Sequence, residues 1–253
     1  MSKKTKRSRQ SIGNIAKSQR VEEWLVHIND LLREADYAGA IEASQRVINF
    51  LPQRSLQRAE ALGYLSMAHS MLQNFPQAYD AIDEALAINP HDADMWFNHG
   101  VASRFTARTG RSVHDFERAV ELMKLEGNSE LVKKAEEELE LSQKFAKESM
   151  KLRGPNFTLD QLIEQEETYQ QGVKFLEGEE WEKAEQAFRH VIEMGDVLPQ
   201  PWGNLGFALL MQHRYDEAEA AWKRALAIDK HYKPARVNLE NLPEVRRTDN
   251  PNI

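Results

Sequence analysis

Residues 202–230 read WGNLGFALLMQHRYDEAEAAWKRALAIDK, and much of the chain is a variation on them. Two amphipathic helices are encoded. Trp202, Leu205, Gly206 and Leu209 share one face of the first; Ala218, Trp222, Ala225 and Ile228 share one face of the second. Spacings of three, four and seven are those of an α-helix turning one stripe away from water. Between them, His213-Arg214-Tyr215-Asp216 supplies a polar turn and an acid near the start of the second helix. Shifted back by 34 residues, the pattern returns. Gly172 falls on Gly206, Phe175 on Leu209, Trp181 on Tyr215, Ala184 on Ala218, Phe188 on Trp222 and Val191 on Ala225.

A 34-residue period carrying large residues, then glycine, an aromatic, alanine, an aromatic and alanine resembles the tetratricopeptide repeat. The resemblance implies an all-α fold, an α-solenoid of stacked helix-turn-helix repeats, and a function in binding. In all, copies fall at 21–54, about 59–92, 93–126, about 165–198 and 199–232. In the first, Trp24, Leu31, Tyr37, Ala40 and Val47 hold the pattern, but His27 and Ile28 replace the Leu-Gly pair, which predicts looser packing there. The third keeps Trp96, Gly100, Phe116 and Ala119 and departs at Thr109 and Ser112, around its inter-helix turn.

The domain organisation follows. Residues 1–20 form a basic arm, 21–128 three repeats, and 129–153 one long helix with the stripe Leu131, Ala135, Leu139, Ser142, Ala146 and Met150. That helix is a spacer or a cap on the third repeat; capping is favoured because open stacks need a covered end. Arg153-Gly154-Pro155-Asn156 breaks it, and 154–164 is a linker with Thr158 and Asp160 opening the next helix. Residues 165–242 hold two repeats and a short capping helix from Pro234 through Leu239, and 243–253 read as a frayed tail. The third and fourth repeats start 72 residues apart, two units plus four, as if the long helix took one repeat's place. One continuous superhelix and two lobes hinged near Gly154 both remain compatible.

Charge is split along the chain. Lys3, Lys4, Lys6, Arg7, Arg9, Lys17 and Arg20 lie among the first twenty residues without an acid, so the net charge of −7 conceals a body of −14. The arm has no sustained apolar run and does not read as a signal peptide. It is a solvated tail, or an arm drawn to phosphate or another anionic surface, with Lys3, Lys4, Lys6, Arg7 and Arg9 as the contacts. There is no cysteine, which excludes disulfides and thiolate metal sites and fits a reducing compartment such as the cytoplasm. No run of about 18 apolar residues predicts a membrane span.

In tetratricopeptide repeat proteins the ligand lies in the concave groove lined by the first helix of each repeat. Carried onto this sequence, the resemblance implies inward-facing Leu25, Asn29 and Arg33, then Gly63, Met67, Ser70 and Met71. The third repeat contributes Phe97, Val101, Arg104 and Phe105, and the fourth Tyr169, Val173 and Leu176. Gly203, Phe207, Leu210 and Met211 complete the set. Such a surface suits an amphipathic helix or an extended apolar peptide, with Met and Phe able to adapt to it. Asn98, Asn204 and Asn238 recur at one repeat position, where an amide can pair with a ligand backbone or with the protein itself. A subclass of the family grips chaperone C-terminal carboxylates with two Asn and several Lys or Arg. Here Asn29 and Asn98 fit, but Leu25 and Asp94 stand at the basic positions and Tyr64 replaces the second Asn. Carboxylate gripping is therefore not expected.

No catalytic constellation is found. There is no Gly-rich phosphate loop, nucleophile elbow or zinc-helix motif, so no enzyme activity and no cofactor are expected. His27, His69 and His99 could approach one another across successive first helices, but without metal-ligand spacing they read as partly buried histidines, and no metal site is expected. The leading expectation is a non-catalytic adaptor or assembly scaffold that binds a protein or peptide partner. The alternative is weak nucleic-acid or ribosome association through the arm, and self-association through an exposed repeat end is a third possibility.

Overall fold

The computed structural model describes residues 19–249, and these are helical, joined by turns and short loops. They form two compact units, one of residues 19–107 and 111–142, the other of Arg108–Gly110 with 143–249. In the first, α1 (19–33) pairs with α2 (Tyr37–Phe50), α3 (Leu56–Met71) with α4 (Phe75–Ile88), and α5 (Ala93–Phe105) with α6 (Thr109–Glu126). Helix α7 (Ser129–Arg153) serves the first unit through Ser142 and the second from Gln143. The second unit contains the hairpins α8 (Leu159–Glu177) with α9 (Trp181–Met194) and α10 (Pro199–Met211) with α11 (Tyr215–Ile228), then α12 (Lys233–Asp249). Each unit is an α-solenoid of stacked helix-turn-helix repeats. The boundary between units falls inside α7 and not at Gly154.

Each hairpin closes in the same way. Ala35, Gln73, Ala107, Glu179 and His213 occupy one repeat position and all have φ between 57° and 60°. In four of the five turns the following N–H reaches back across the turn: Asp36 to Leu31, Asn74 to His69, Glu180 to Phe175 and Arg214 to Leu209, at 2.8–3.0 Å. These bonds satisfy carbonyls that the end of a helix leaves without partners. None of the five left-handed residues is glycine, so each is held against a local preference by the packing on either side.

That packing matches a small residue to a large one sixteen positions on. A Cβ on Gly206 would lie 2.4 Å from Trp222 Nε1, and one on Gly172 2.8 Å from Phe188. Trp222 is fully buried and donates from Nε1 to the Gly203 carbonyl at 3.0 Å. The second repeat has Ser66 and Ile82 at these places, and the first has Ile28 and Ser44; all four are fully buried. Ile28 is thus matched by a small residue at the position of Trp222, which removes the reason to expect a looser first repeat.

The third repeat solves its core with polar groups. His99, Ser103 and Asp115 stand where the last repeat has Leu205, Leu209 and Ala221, and all three are completely buried. Ser103 donates to Asp115 Oδ2 at 2.7 Å, and His99 Nδ1 lies 2.9 Å from the same oxygen. Burial by itself would raise the Asp115 carboxyl, but His114, His99 and Ser103 outweigh it and hold the group below the usual carboxylate range.

In the first unit α7 covers the third repeat. Ala135 is buried with Ala93, Val120 and Met123, while Leu131, Val132 and Leu139 pack around them. At the other end, α12 runs past Leu239 to Asp249 with Pro243 inside it, so 243–249 is helix and not tail. Ala235 and Leu242 bury one face of α12 in the second core, and Arg246 pairs with Asp216 and Glu219. Those contacts outweigh the backbone bond that proline removes.

Two stability predictions follow from the packing. Gly206→Ile should cost about 3 kcal/mol or more by overpacking. Adding Trp222→Ser, the pair found in the first repeat, should give a loss smaller than the sum of the single losses by about 1 kcal/mol or more. In the third repeat, Asp115→Ala should cost about 3–5 kcal/mol by leaving His99 without its partner. The triple change His99→Leu/Ser103→Leu/Asp115→Ala should be far milder than that single change. Urea unfolding followed by circular dichroism checks both.

Candidate peptide-binding groove

The first helices point their remaining apolar side chains outward at repeating places. Met67 and Phe207 share one repeat position, and Met71, Phe105 and Met211 share another, four residues on. All five are exposed, between 38% for Phe207 and 56% for Phe105. Helical side chains four apart lie one above the other, so each pair forms a short apolar strip along its own helix.

In the first unit, Met67, Phe97 and Asn98 line a 250 Å³ hollow together with Leu131 and Lys134 of α7. Phe97 is half-buried, edge-on to Phe116 at 5.4 Å, with Lys134 Nζ 5.0 Å from its ring centre. It supports the hollow as much as it faces it. Phe105 is stacked flat on Phe75 at 4.2 Å, which places it beside the hairpin turn. Arg104 is taken up by an ion pair with Glu138 of α7 and lies 5.6 Å from the Phe105 ring. Val101 is half-buried between these positions.

In the second unit, Asn204 donates to the Tyr169 hydroxyl at 3.1 Å, and Tyr169 packs edge-on against Phe188 at 5.7 Å. That amide is engaged within the protein, and burial raises the Tyr169 phenol above its ordinary range despite Asn204. Val173 packs against the core, Asn238 is half-buried on α12, and Phe207 leans edge-on to Trp181 at 6.1 Å. Two inward-facing expectations are corrected: Leu25 is core at 2% exposure, and Gly203 is buried beneath Tyr232. Leu25 lies in the core of the first unit, and Gly203 is covered by Tyr232 from the loop between α11 and α12, so neither faces open solvent.

The histidines do not converge. His99 sits in the Asp115 cluster, His69 is half-buried with its pKa lowered by burial, and His27 is exposed. Among the described residues no three His, Cys, Asp or Glu are placed to share a metal ion. Lys3, Lys4, Lys6, Arg7 and Arg9 lie outside the described residues. The polar cluster of the third repeat was legible only as a register mismatch, His-Ser-Asp where its sister repeat has Leu-Leu-Ala.

One further buried acid lies in the second unit. Glu166 of α8 accepts from the Gly110 N–H at 2.9 Å and from the Thr109 hydroxyl. Burial pushes its carboxyl up to about 7 against these bonds and the charge of Arg153. A carboxyl raised in the folded state is protonated there while the unfolded chain is ionised, so stability falls as pH rises through about 7. Glu166→Gln keeps an acceptor for Gly110 and a donor for Thr109. Its melting temperature should exceed that of the parent by a few degrees at pH 8, with the gain shrinking toward pH 5, as thermal unfolding across pH would show.

The family described as tetratricopeptide repeat matches residues 199–232. The uncharacterized protein MJ0572 of Methanocaldococcus jannaschii is 31% identical over 84 residues, which are 33% of this chain and 98% of that protein. Among solved structures, MamA aligns over 84% of this chain and 93% of its own at 15% identity and a TM-score of 0.39. YrrB, a TPR protein with an unusual peptide-binding site, aligns over 88% and 97% at 14% identity and a TM-score of 0.38. The TPR2AB-domain of yeast Sti1 in complex with pHSP90 aligns over 91% and 86% at 14% identity and a TM-score of 0.40. The 34-residue period and the helix-turn-helix hairpins it builds extend the matched pattern to the other repeats. The chain belongs to the tetratricopeptide repeat family.

Proposed function

We propose that this protein is a non-catalytic interaction adaptor that holds a peptide or helix of a protein partner on the groove faces of its first helices. The observation that carries the reading is the recurrence of exposed Met and Phe at matched repeat positions, Met67 with Phe207 and Met71 with Phe105 and Met211. A hairpin core has no use for them, because each repeat already buries its own large side chain, isoleucine or an aromatic, against glycine or serine. Exposed apolar side chains repeated in register offer a partner area to cover, and methionine adapts to its shape.

A cytoplasmic place of action fits the cysteine-free sequence. No helix among the described residues is long and apolar enough to cross a membrane. The body's charge of −14 opposes phosphate, which favours a protein partner over nucleic acid.

The test replaces exposed groove residues and spares Phe97, whose ring also supports the fold. The variant Met67→Glu/Phe207→Glu should keep its helicity and melting temperature and lose partner capture by roughly ten-fold or more. Capture from nuclease-treated lysate, quantified beside wild type, is the measurement. A partner retained in full by the folded variant would overturn the groove reading.

A further inference from the structure

The groove of the first unit is charged at one end and apolar at the other. The 250 Å³ hollow framed by Met67, Phe97, Met123 and Leu131 is continuous with a second one of 340 Å³, since Met67, Asp94 and Asn98 belong to both. The second hollow adds Glu60, Tyr64 and Asp92 from α3 and the start of α5. We infer that this trough binds a peptide segment in which a lysine or arginine stands beside a bulky apolar residue. The cation enters among Glu60, Asp92 and Asp94, and its neighbour fills the space between Met67 and Leu131. This rests on the groove reading above and specifies which partners it admits.

Charge is the deciding argument. Asp92 has one oxygen committed to the Met95 N–H at 3.0 Å, and Glu60 accepts from the Tyr64 hydroxyl at 3.0 Å. Neither bond cancels a negative charge. Lys134 is the cation that faces Asp94, and it rests over the Phe97 ring at the apolar end; Arg33 faces Tyr64 from α1. Burial and the neighbouring Asp92 charge still push the Asp94 carboxyl up, so Lys134 leaves it under-compensated. Burial and Glu60 hold the Tyr64 phenol at about 12, which keeps it protonated and donating. An incoming ammonium or guanidinium would relieve Asp94, and its aliphatic stem would lie along Met67 and Met95. A ligand carboxylate at the same place would meet three acids, which opposes the gripping of chain termini.

Selection from a random peptide library displayed on phage tests the inference on the full-length protein. Wild type should enrich Lys or Arg next to Leu, Ile, Met or Phe. Synthetic peptides made from the enriched sequences should bind roughly ten-fold or more weakly to Asp94→Lys, and more weakly as salt rises from about 0.05 to about 0.5 M. Asp94→Asn, which keeps the side chain's size in the first turn of α5, should fall between the two. Circular dichroism and melting temperature verify that each variant is folded. Enrichment of acidic or uncharged peptides that Met67→Glu abolishes would overturn the charge preference and leave the groove reading standing. Binders indifferent to Met67→Glu, or no binders at all, would overturn both.

Discussion

The structure depends on how closely the two helices of each hairpin approach. In every repeat one of two positions, sixteen residues apart, is small and the other large, and both are buried. Gly206 admits Trp222 to within a distance that even a methyl group would block, and the indole then donates to the Gly203 carbonyl. The left-handed turn residue is a consequence: none of the five is glycine, and the paired helices hold it there. The small side can be exchanged between helices, as Ile28 and Ser44 show, because the constraint falls on the summed volume and not on the identity at either place.

Once each hairpin core is sealed this way, the residues left over on the first helices are available for other work. Met67, Met71, Phe207 and Met211 are left exposed at places where further packing would be easy to build. The third repeat goes a different way and places His99, Ser103 and Asp115 in its core. A buried group of this kind contributes little net stability over an apolar core but penalises every arrangement that fails to satisfy it. Two of its members, His99 and Ser103, belong to α5, the helix that presents Asp94, Phe97 and Asn98 to the trough, so the polar core ties to α6 the element that carries the proposed contacts.

Helix α7 shows how one element can end a stack and shape a surface. Its inner stripe buries Ala135 against the third repeat, which covers the apolar end an open array would expose. Its flank contributes Leu131 and Lys134 to the groove and Glu138 to the pairing of Arg104. Arg104 is inward-facing by repeat position, yet α7 has already claimed its charge.

The sequence by itself determined the repeats, the hairpins, the long helix with its buried stripe and the exposed Met and Phe strips. These are periodic features, written locally at spacings of three, four and thirty-four. It could not settle what a second element does to a repeat position. Leu25 is buried in the core, Gly203 lies beneath Tyr232, Asn204 is engaged by Tyr169, and Phe97 is roofed by Lys134. Residues 243–253 read as a frayed tail, but Arg246, Asp216 and Glu219 come together only in the folded unit and carry α12 past Pro243. Period assigns a residue to a face of its helix; what that face meets is fixed by contacts between residues far apart in the chain, which only tertiary packing brings together.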